Sequence, residues 1–436
     1  MPKITFMGAG STVFAKNVLG DCMLSPALND SEIALYDIDE QRLDDSQKML
    51  ENINQNCNQG RANIDSYLGV DERKSALKDA DYVVNAIQVG GYKPCTVTDF
   101  EVPKKYGLRQ TIGDTLGVSG IFRALRTIPV MLDFARDMEE VCPDTWFLNY
   151  TNPMSMLTGA MLRATDINTV GLCHSVQICA SHLLESLDMS TENIQWKVAG
   201  INHMAWLLEI TRNGKDLYPE IKKKAFEEGN IPDDDRVRFE MMKQFGYYVT
   251  ESSEHNAEYL PYFIKDQYPE LIDKFNIPLD EYPRRCERQI EKWEDMREDL
   301  VENKELEHSR THEYASYIME AMETDEPYKI GGNVLNTGLI PNLPDKACVE
   351  VPCLVDSSGV NPCYVGELPP QLAALNRTNI NVQLLTIKAA LTQKKKHIYH
   401  AALLDPHTSS ELSIDEITSL VDDMIEAHGD WLPEYK

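Results

Sequence analysis

Along the first part of the chain the apolar positions fall into short runs, each followed by a stretch with helical spacing. KITFM (3–7) is apolar and β-branched, and a helical pattern follows through about Leu24. The form returns at EIALYDID (32–39), DADYVVNAIQVGG (79–91) and WFLNYTNP (146–153), each with polar or glycine-rich residues at its end. Four such strands separated by helices predict an α/β fold built on a doubly wound parallel sheet. Ligands of such a sheet collect at the carboxyl ends of the strands, where Gln88, Asn149 and Asn152 stand. Later the pattern changes. IEKWEDMREDLVENKELEH (290–308) reads as a charged amphipathic helix, and KACVEVPCLV (346–355) as a β-like run in which Cys348 and Cys353 are strand residues. We therefore expect a nucleotide-binding domain over residues 1–198 and a mixed α+β substrate domain over 199–436, with the active site in the cleft between them.

The first strand runs directly into Gly8-Ala9-Gly10-Ser11-Thr12. Strand, glycine turn and helix follow in the order a pyrophosphate site requires: Gly8 permits the tight turn, Gly10 lets the backbone approach, and the helix N-terminus faces negative charge. Gly8, Gly10 and Ser11 are thus candidate cofactor contacts, although Val13 stands where the usual third glycine would be. Asp37, ending the second strand, is placed to grip ribose hydroxyls and to disfavour a 2′-phosphate. The expected cofactor is NAD, in a Rossmann-type sheet like that of lactate and malate dehydrogenases, with Gln88 and Asn149 as further contacts.

Composition narrows the partners. The chain has 436 residues, 42% hydrophobic and 26% charged, with no long Pro/Gly/Ser-rich tract. Its 42 basic against 70 acidic residues give a net charge of −28, which opposes nucleic acids and anionic membranes and leaves a small-molecule ligand. Ten scattered cysteines do not form a disulfide framework. The sequence enters a strand at once without a leader pattern, and no apolar run reaches spanning length, so a cytoplasmic location is expected. Lys394-Lys395-Lys396 reads as a solvated helix face, and so does the pair His308 and His312, which lacks a zinc-protease glutamate.

GLCHSVQ (171–177) and GINHMAW (200–206) carry the candidate chemistry. Cys173 and His203 as ligands would suit Mn, Fe, Co, Ni or Zn and leave positions open for substrate oxygens. The Asn152-Pro153 turn is similar to that of lactate and malate dehydrogenases, and such a dehydrogenase is the alternative reading, but their relay-histidine segment is missing.

The chain resembles glycoside hydrolase family 4, in its bacterial α-galactosidase branch. The resemblance runs through MGAGSTVFAKNVLGD (7–21), NAIQVGGYKP (85–94), QTIGDTLGVSGIFRALRTIP (110–129), WFLNYTNPM (146–154), the two motifs above, TESSEHNAEYLPYF (250–263), GGNVLNTGLIPNLP (331–344) and AALLDPHT (401–408). It implies a hydrolase that departs from the two-carboxylate scheme. The sugar is oxidised at C3 with NAD as acceptor, the glycosidic oxygen is eliminated, water adds, and the hydride returns. A divalent metal, Mn2+ or another transition ion, is implied at Cys173 and His203. The C2 base is implied at Tyr259, with Tyr262 as fallback. His174 stands where the phosphosugar branch has an aspartate that acts as acid, and the resemblance implies it as the residue that protonates the departing oxygen. Asn152 and Arg285 are implied substrate contacts, with Arg284 beside the latter. KPCTV (93–97) does not reproduce a six-phosphate pattern, so an unphosphorylated α-galactoside is expected. An α-glucoside or α-galacturonide is the competitor within the family, and a homodimer or homotetramer is implied.

Overall fold

The computed structural model describes residues 1–436. Its strands are β1 (Lys3–Met7), β2 (Glu32–Asp37), β3 (Asn63–Leu68), β4 (Tyr82–Asn85), β5 (Trp146–Asn149), β6 (Asn168–Leu172), β7 (Ile194–Ile201), β8 (Met204–Arg212), β9 (Lys215–Asp216), β10 (Tyr248–Val249), β11 (Tyr328–Leu335), β12 (Cys348–Asp356) and β13 (Gly359–Pro362). All belong to one sheet, whose path is β10-β8-β7-β12-β11-β6-β5-β4-β1-β2-β3.

From β6 to β3 every pairing is parallel, in the order β6-β5-β4-β1-β2-β3, which is the doubly wound Rossmann arrangement expected. Two of these six strands escaped the hydrophobic pattern. The edge strand β3, NIDSYL, is half to fully exposed along its length and so has no apolar run to find. The other, β6, NTVGL, is five residues long and begins on an exposed asparagine.

Beyond β6 the sheet turns antiparallel through β11, β12, β7, β8 and β10. This junction places the chemistry. β11 pairs with the last two residues of β6, Gly332 with Leu172 and Asn333 with Gly171, immediately before Cys173. β12 pairs Glu350 with Gly200 on β7, and the hairpin from β7 to β8 turns at Asn202 and His203. Strand β7 spans position 198, where the two-domain expectation draws its boundary. A hydrophobic core of 94 residues extends from Ile4 to Met424, so both halves pack on it, while a smaller one of 18 residues lies between the helix His174–Ser186 and β8.

Cys348 and Cys353 lie in β12 as unbridged strand residues, as expected. The charged helix covers Glu281–Val301, and His308 lies beyond it. His308 is therefore not on a solvated helix face. Its ring is buried, and Nε2 meets the fully buried Asp21 at 2.7 Å. Asp21 also accepts from the amide and hydroxyl of Thr311. The i, i+4 spacing is helical only if the residues are, and here a buried carboxylate captured the segment instead.

Candidate active site

The turn after β1 is made by backbone. Gly8 and Ala9 donate to the carbonyl of Tyr36 at 2.9 and 3.0 Å. Gly8 has φ +88°, and a Cβ there would lie 2.9 Å from the carbonyl carbon of Ala86. Gly10 donates its amide to Asp37 Oδ2 at 2.6 Å, and Asp37 Oδ1 accepts from the amides of Ile38 and Asp39. The loop and the Asp37 carboxylate are thus one unit, with Ser11 beside them at the start of the helix Thr12–Leu24 and free of any side-chain capping bond. Gln88 is exposed at the end of the adjoining segment. Asn149 is fully buried, its amide engaged by Thr151, Thr158 and Asn85, so its side chain braces the turn that carries Asn152. This turn, packed so closely on Ala86 that only glycine is accommodated at position 8 and followed by a helix N-terminus without a side-chain cap, fits a dinucleotide.

Cys173, His203 and Glu251 each offer a ligand atom, and the three atoms lie within 4.8 Å of one another. Cys173 follows β6 and begins the helix His174–Ser186, His203 forms the β7–β8 turn with φ +63°, and Glu251 follows β10 with φ +65°. Non-glycine residues rarely take this conformation, and both occurrences face the same pocket. His203 is 3% exposed, with Nε2 3.4 Å from Glu251 Oε2 and Nδ1 without a partner. Burial pushes the His203 pKa down to about 4, which keeps the ring neutral and free to ligate. Burial opposes ionisation of Glu251, yet the facing His203 and His255 rings hold its pKa down, at about 2. Burial, with Glu251 and Glu350 adding to it, pushes the Cys173 thiol up. A buried imidazole with an orphaned nitrogen beside a thiol and a carboxylate is a donor set that fits a divalent transition metal.

The surroundings are polar and mostly buried. His255 lies between two carboxylates, Nε2 3.7 Å from Asp114 and Nδ1 3.6 Å from Glu251, with its ring 4.7 Å from that of His203. Burial would lower its pKa, but Glu251 and Asp114 prevail and carry it up to about 9. Asp114 accepts from Thr115 at 2.6 Å and from the Asn152 amide at 3.1 Å. Its carboxyl is held well below the ordinary range, against the effect of burial, by His255, Arg123 and His203.

Tyr259 is 1% exposed, its ring 6.3 Å from His203 and its hydroxyl without a partner. Burial and then the charges of Asp114 and Glu251 push its phenol well up, so a phenolate there calls for a cation. Tyr262 is 47% exposed and stacks on Phe245. His174 sits at the rim, its Nε2 2.6 Å from Glu313 Oε2, among the rings of Phe14, Tyr150 and Tyr314. Arg285 pairs with Glu254 at 3.1 Å, while Arg284 turns to the carbonyl of Leu279 and to Glu281.

Sequence reasoning assigned no role to Glu251, His255, Asp114, Arg123 or Glu313. The first two lie in TESSEHNAEYLPYF and the next two in QTIGDTLGVSGIFRALRTIP, so the segments were visible while the roles were not. Arg123 donates to the Asn152 carbonyl at 3.2 Å and to the Tyr282 hydroxyl at 3.1 Å, which fixes the turn at Asn152.

Residues 3–189 match the sequence profile described as family 4 glycosyl hydrolase, and residues 198–408 match that of its C-terminal domain. The chain belongs to glycosyl hydrolase family 4. This family 4 chain is 66% identical over 436 residues to an α-galactosidase of Bacillus subtilis strain 168, covering 100% of both chains. It is 34% identical to an α-galactosidase of Rhizobium meliloti strain 1021, over 99% of this chain and 89% of the relative. A 6-phospho-α-glucosidase from gut microorganisms, solved in complex with NAD and Mn2+, has the same fold at a TM-score of 0.82 with 21% identity, each chain being covered in full. No helix is long and apolar enough to cross a membrane.

Proposed function

We propose that the chain hydrolyses unphosphorylated α-galactosides, with NAD regenerated in each turnover and a divalent metal, Mn2+ by preference, held by Cys173 and His203. The observation that carries this reading is the 66% identity to an α-galactosidase across the entire chain. Membership of a hydrolase family also disfavours the dehydrogenase alternative, which lacks its relay histidine here.

When bound, NAD supplies reversible hydride transfer at C3 of the sugar, and the metal supplies a positive charge beside the C2 and C3 oxygens. The residues do the rest. Gly8, Gly10 and Ser11 receive the pyrophosphate at the helix N-terminus, Asp37 takes the ribose hydroxyls, and Gln88 lies along the cofactor path. Asn149 acts through the turn that it braces. Asn152, fixed by Asp114 and Arg123, orients the sugar, with Arg285 at the outer side. Tyr259 takes the C2 proton, since its unpartnered hydroxyl lies at the pocket and Tyr262 faces solvent. His174 donates a proton to the departing oxygen, with Glu313 bonded to its other edge. In this reading residues 1–198 carry the cofactor together with Cys173, Asn152 and His174, and residues 199–436 supply His203, Tyr259 and Arg285. A cytoplasmic homodimer or homotetramer is part of the same reading.

The test is p-nitrophenol release from the α-galactoside with and without NAD, Mn2+ and thiol, while NADH absorbance is followed. Release that requires NAD and metal without net NADH supports the proposal. Accumulating NADH without cleavage would overturn it, and faster cleavage of the α-glucoside or α-galacturonide would reassign the sugar.

A further inference from the structure

Two protein donors, Cys173 and His203, make up the ligand pair legible in the sequence. We propose that Glu251 is a third, so that thiolate, imidazole and carboxylate occupy one face of the metal's coordination shell and leave the opposite face to sugar oxygens and water. The inference rests on the metal-dependent reading above and deepens it.

Distance is the first argument. Glu251 Oε2 stands 3.4 Å from His203 Nε2, too far for a good charge-assisted hydrogen bond. Donors bound to one ion at about 2.1 Å on adjacent corners stand about 3 Å apart. The separation thus suits two ligands of one cation better than a carboxylate whose task is to orient the ring.

The second argument is the backbone. Thr250 donates its amide to the carbonyl of Ala205 at 2.8 Å, and the Thr250 hydroxyl accepts from the Ala205 amide at 3.1 Å. The Asn256 side chain donates to the carbonyls of Thr250 and Ser252 at 2.9 and 3.0 Å. Glu251 is therefore clamped on both sides, and one clamp is attached two residues from His203. Both residues have a left-handed φ, which surrounding structure must impose.

The third argument is selectivity among carboxylates. Asp114 is also close, but both its oxygens are taken, by Thr115 and by Asn152. Glu251 faces only the Ser175 hydroxyl and two imidazoles, His203 Nε2 at 3.4 Å and His255 Nδ1 at 3.6 Å, and its atoms stand within 4.8 Å of the Cys173 and His203 donors, a grouping that does not include Asp114. A thiolate and a carboxylate together would balance a dication, which a thiolate alone leaves half compensated.

The experiment is Mn2+ titration of the full NAD-loaded chain, reading the free-ion paramagnetic resonance signal, in wild type, Glu251→Gln and Glu251→Ala. Circular dichroism and NAD affinity serve as folding controls. We expect both variants to lose about tenfold or more in Mn2+ affinity. In the Co2+-loaded Glu251→Gln chain, the visible ligand-field bands should change while thiolate-to-metal absorption from Cys173 persists. Mn2+ affinity within about twofold of wild type, or unchanged ligand-field bands, would overturn the third donor and leave Glu251 a neighbour of His203. The binding readout stands apart from substrate: wild type that binds Mn2+ with a Glu251-dependent affinity yet cleaves no α-galactoside would support the donor and overturn the sugar assignment. Wild type that binds no Mn2+ would overturn both.

Discussion

The dinucleotide cradle and the donor pocket are carried by strands of one sheet, yet they are built in opposite ways. The cradle is made within residues 8–37, largely from backbone amides, and its one carboxylate, Asp37, is fastened to the glycine turn by the Gly10 amide. The pocket gathers Asp114, Cys173, His203, Glu251, His255 and Tyr259 from separate segments, and its chemistry resides in buried side chains that oppose or support one another's charge. A backbone site can be local because the peptide group is the same everywhere. A side-chain site needs the antiparallel half of the sheet to bring β7, β8 and β10 beside the end of β6.

The largest expected effect separates the two sites. Cys173→Ser and His203→Ala should each reduce α-galactoside turnover on the order of 10³-fold or more, by removing a ligand that would hold the metal whose charge would stabilise the developing oxyanion. NAD affinity, measured by fluorescence titration, should stay within about twofold of wild type. A matching loss of NAD binding would mean that cradle and pocket are one coupled unit and that the comparison fails.

The same contrast explains what the sequence could reveal. The glycine turn and Asp37 were legible because the strand, turn, helix and second strand follow one another within 40 residues. Cys173 and His203 stood out as residues, and the family resemblance gave them a role. Glu251 and His255 were unreadable as partners because nothing in the spacing of 173, 203, 251 and 255 reveals that Thr250 bonds to Ala205. Strand β3 was hidden by its exposure, and His308 was misread because a fully buried Asp21 far away in sequence decides its position. Asn149 looked like a cofactor contact from its place at a strand end, but its polar atoms turn inward.

Tyr259→Phe sharpens the comparison from within the pocket. It removes a proton acceptor without emptying the space, and we expect kcat to fall about 10²- to 10³-fold with KM and NAD affinity little changed. Loss of the kinetic isotope effect on C2 deuterium in wild type, or full activity in the variant, would move the base elsewhere. Tyr262→Phe, at the surface, should retain most activity.

Charge coupling in the pocket should also appear as stability in the metal-free protein. His255 rises from 6.5 to about 9 on folding, against burial, because Glu251, Asp114 and Glu258 favour its charged form. A group whose pKa is raised stabilises fully below its unfolded value, and the contribution is lost as pH climbs through the folded one. The window is therefore pH 6.5 to 9, and its amplitude is about 3 kcal/mol. His203 works at the other end. Its pKa falls from 6.5 to about 4, so stability that it contributes above 6.5 declines as pH drops toward 4. Denaturant midpoints of the metal-free chain should peak near pH 6.5, and His255→Gln should flatten the alkaline limb.

The smallest effect tests the cradle alone. A Cβ at Gly10 would lie 2.8 Å from Asp37 Oδ2 and 3.0 Å from the Arg42 Cβ. Unlike Gly8, Gly10 does not have a left-handed φ, so Gly10→Ala requires no change of backbone conformation. What must move is the carboxylate, which is tied through its other oxygen to the amides of Ile38 and Asp39 and can yield only by loosening one of those bonds. One weakened hydrogen bond at the ribose costs about 1 kcal/mol, and NAD affinity should accordingly fall about five- to tenfold. Mn2+ affinity should not change, and turnover should recover when NAD is raised. Failure of saturating NAD to restore turnover would show that the glycine turn positions the reacting sugar as well as the cofactor, and the division between backbone site and side-chain site would then be too sharp.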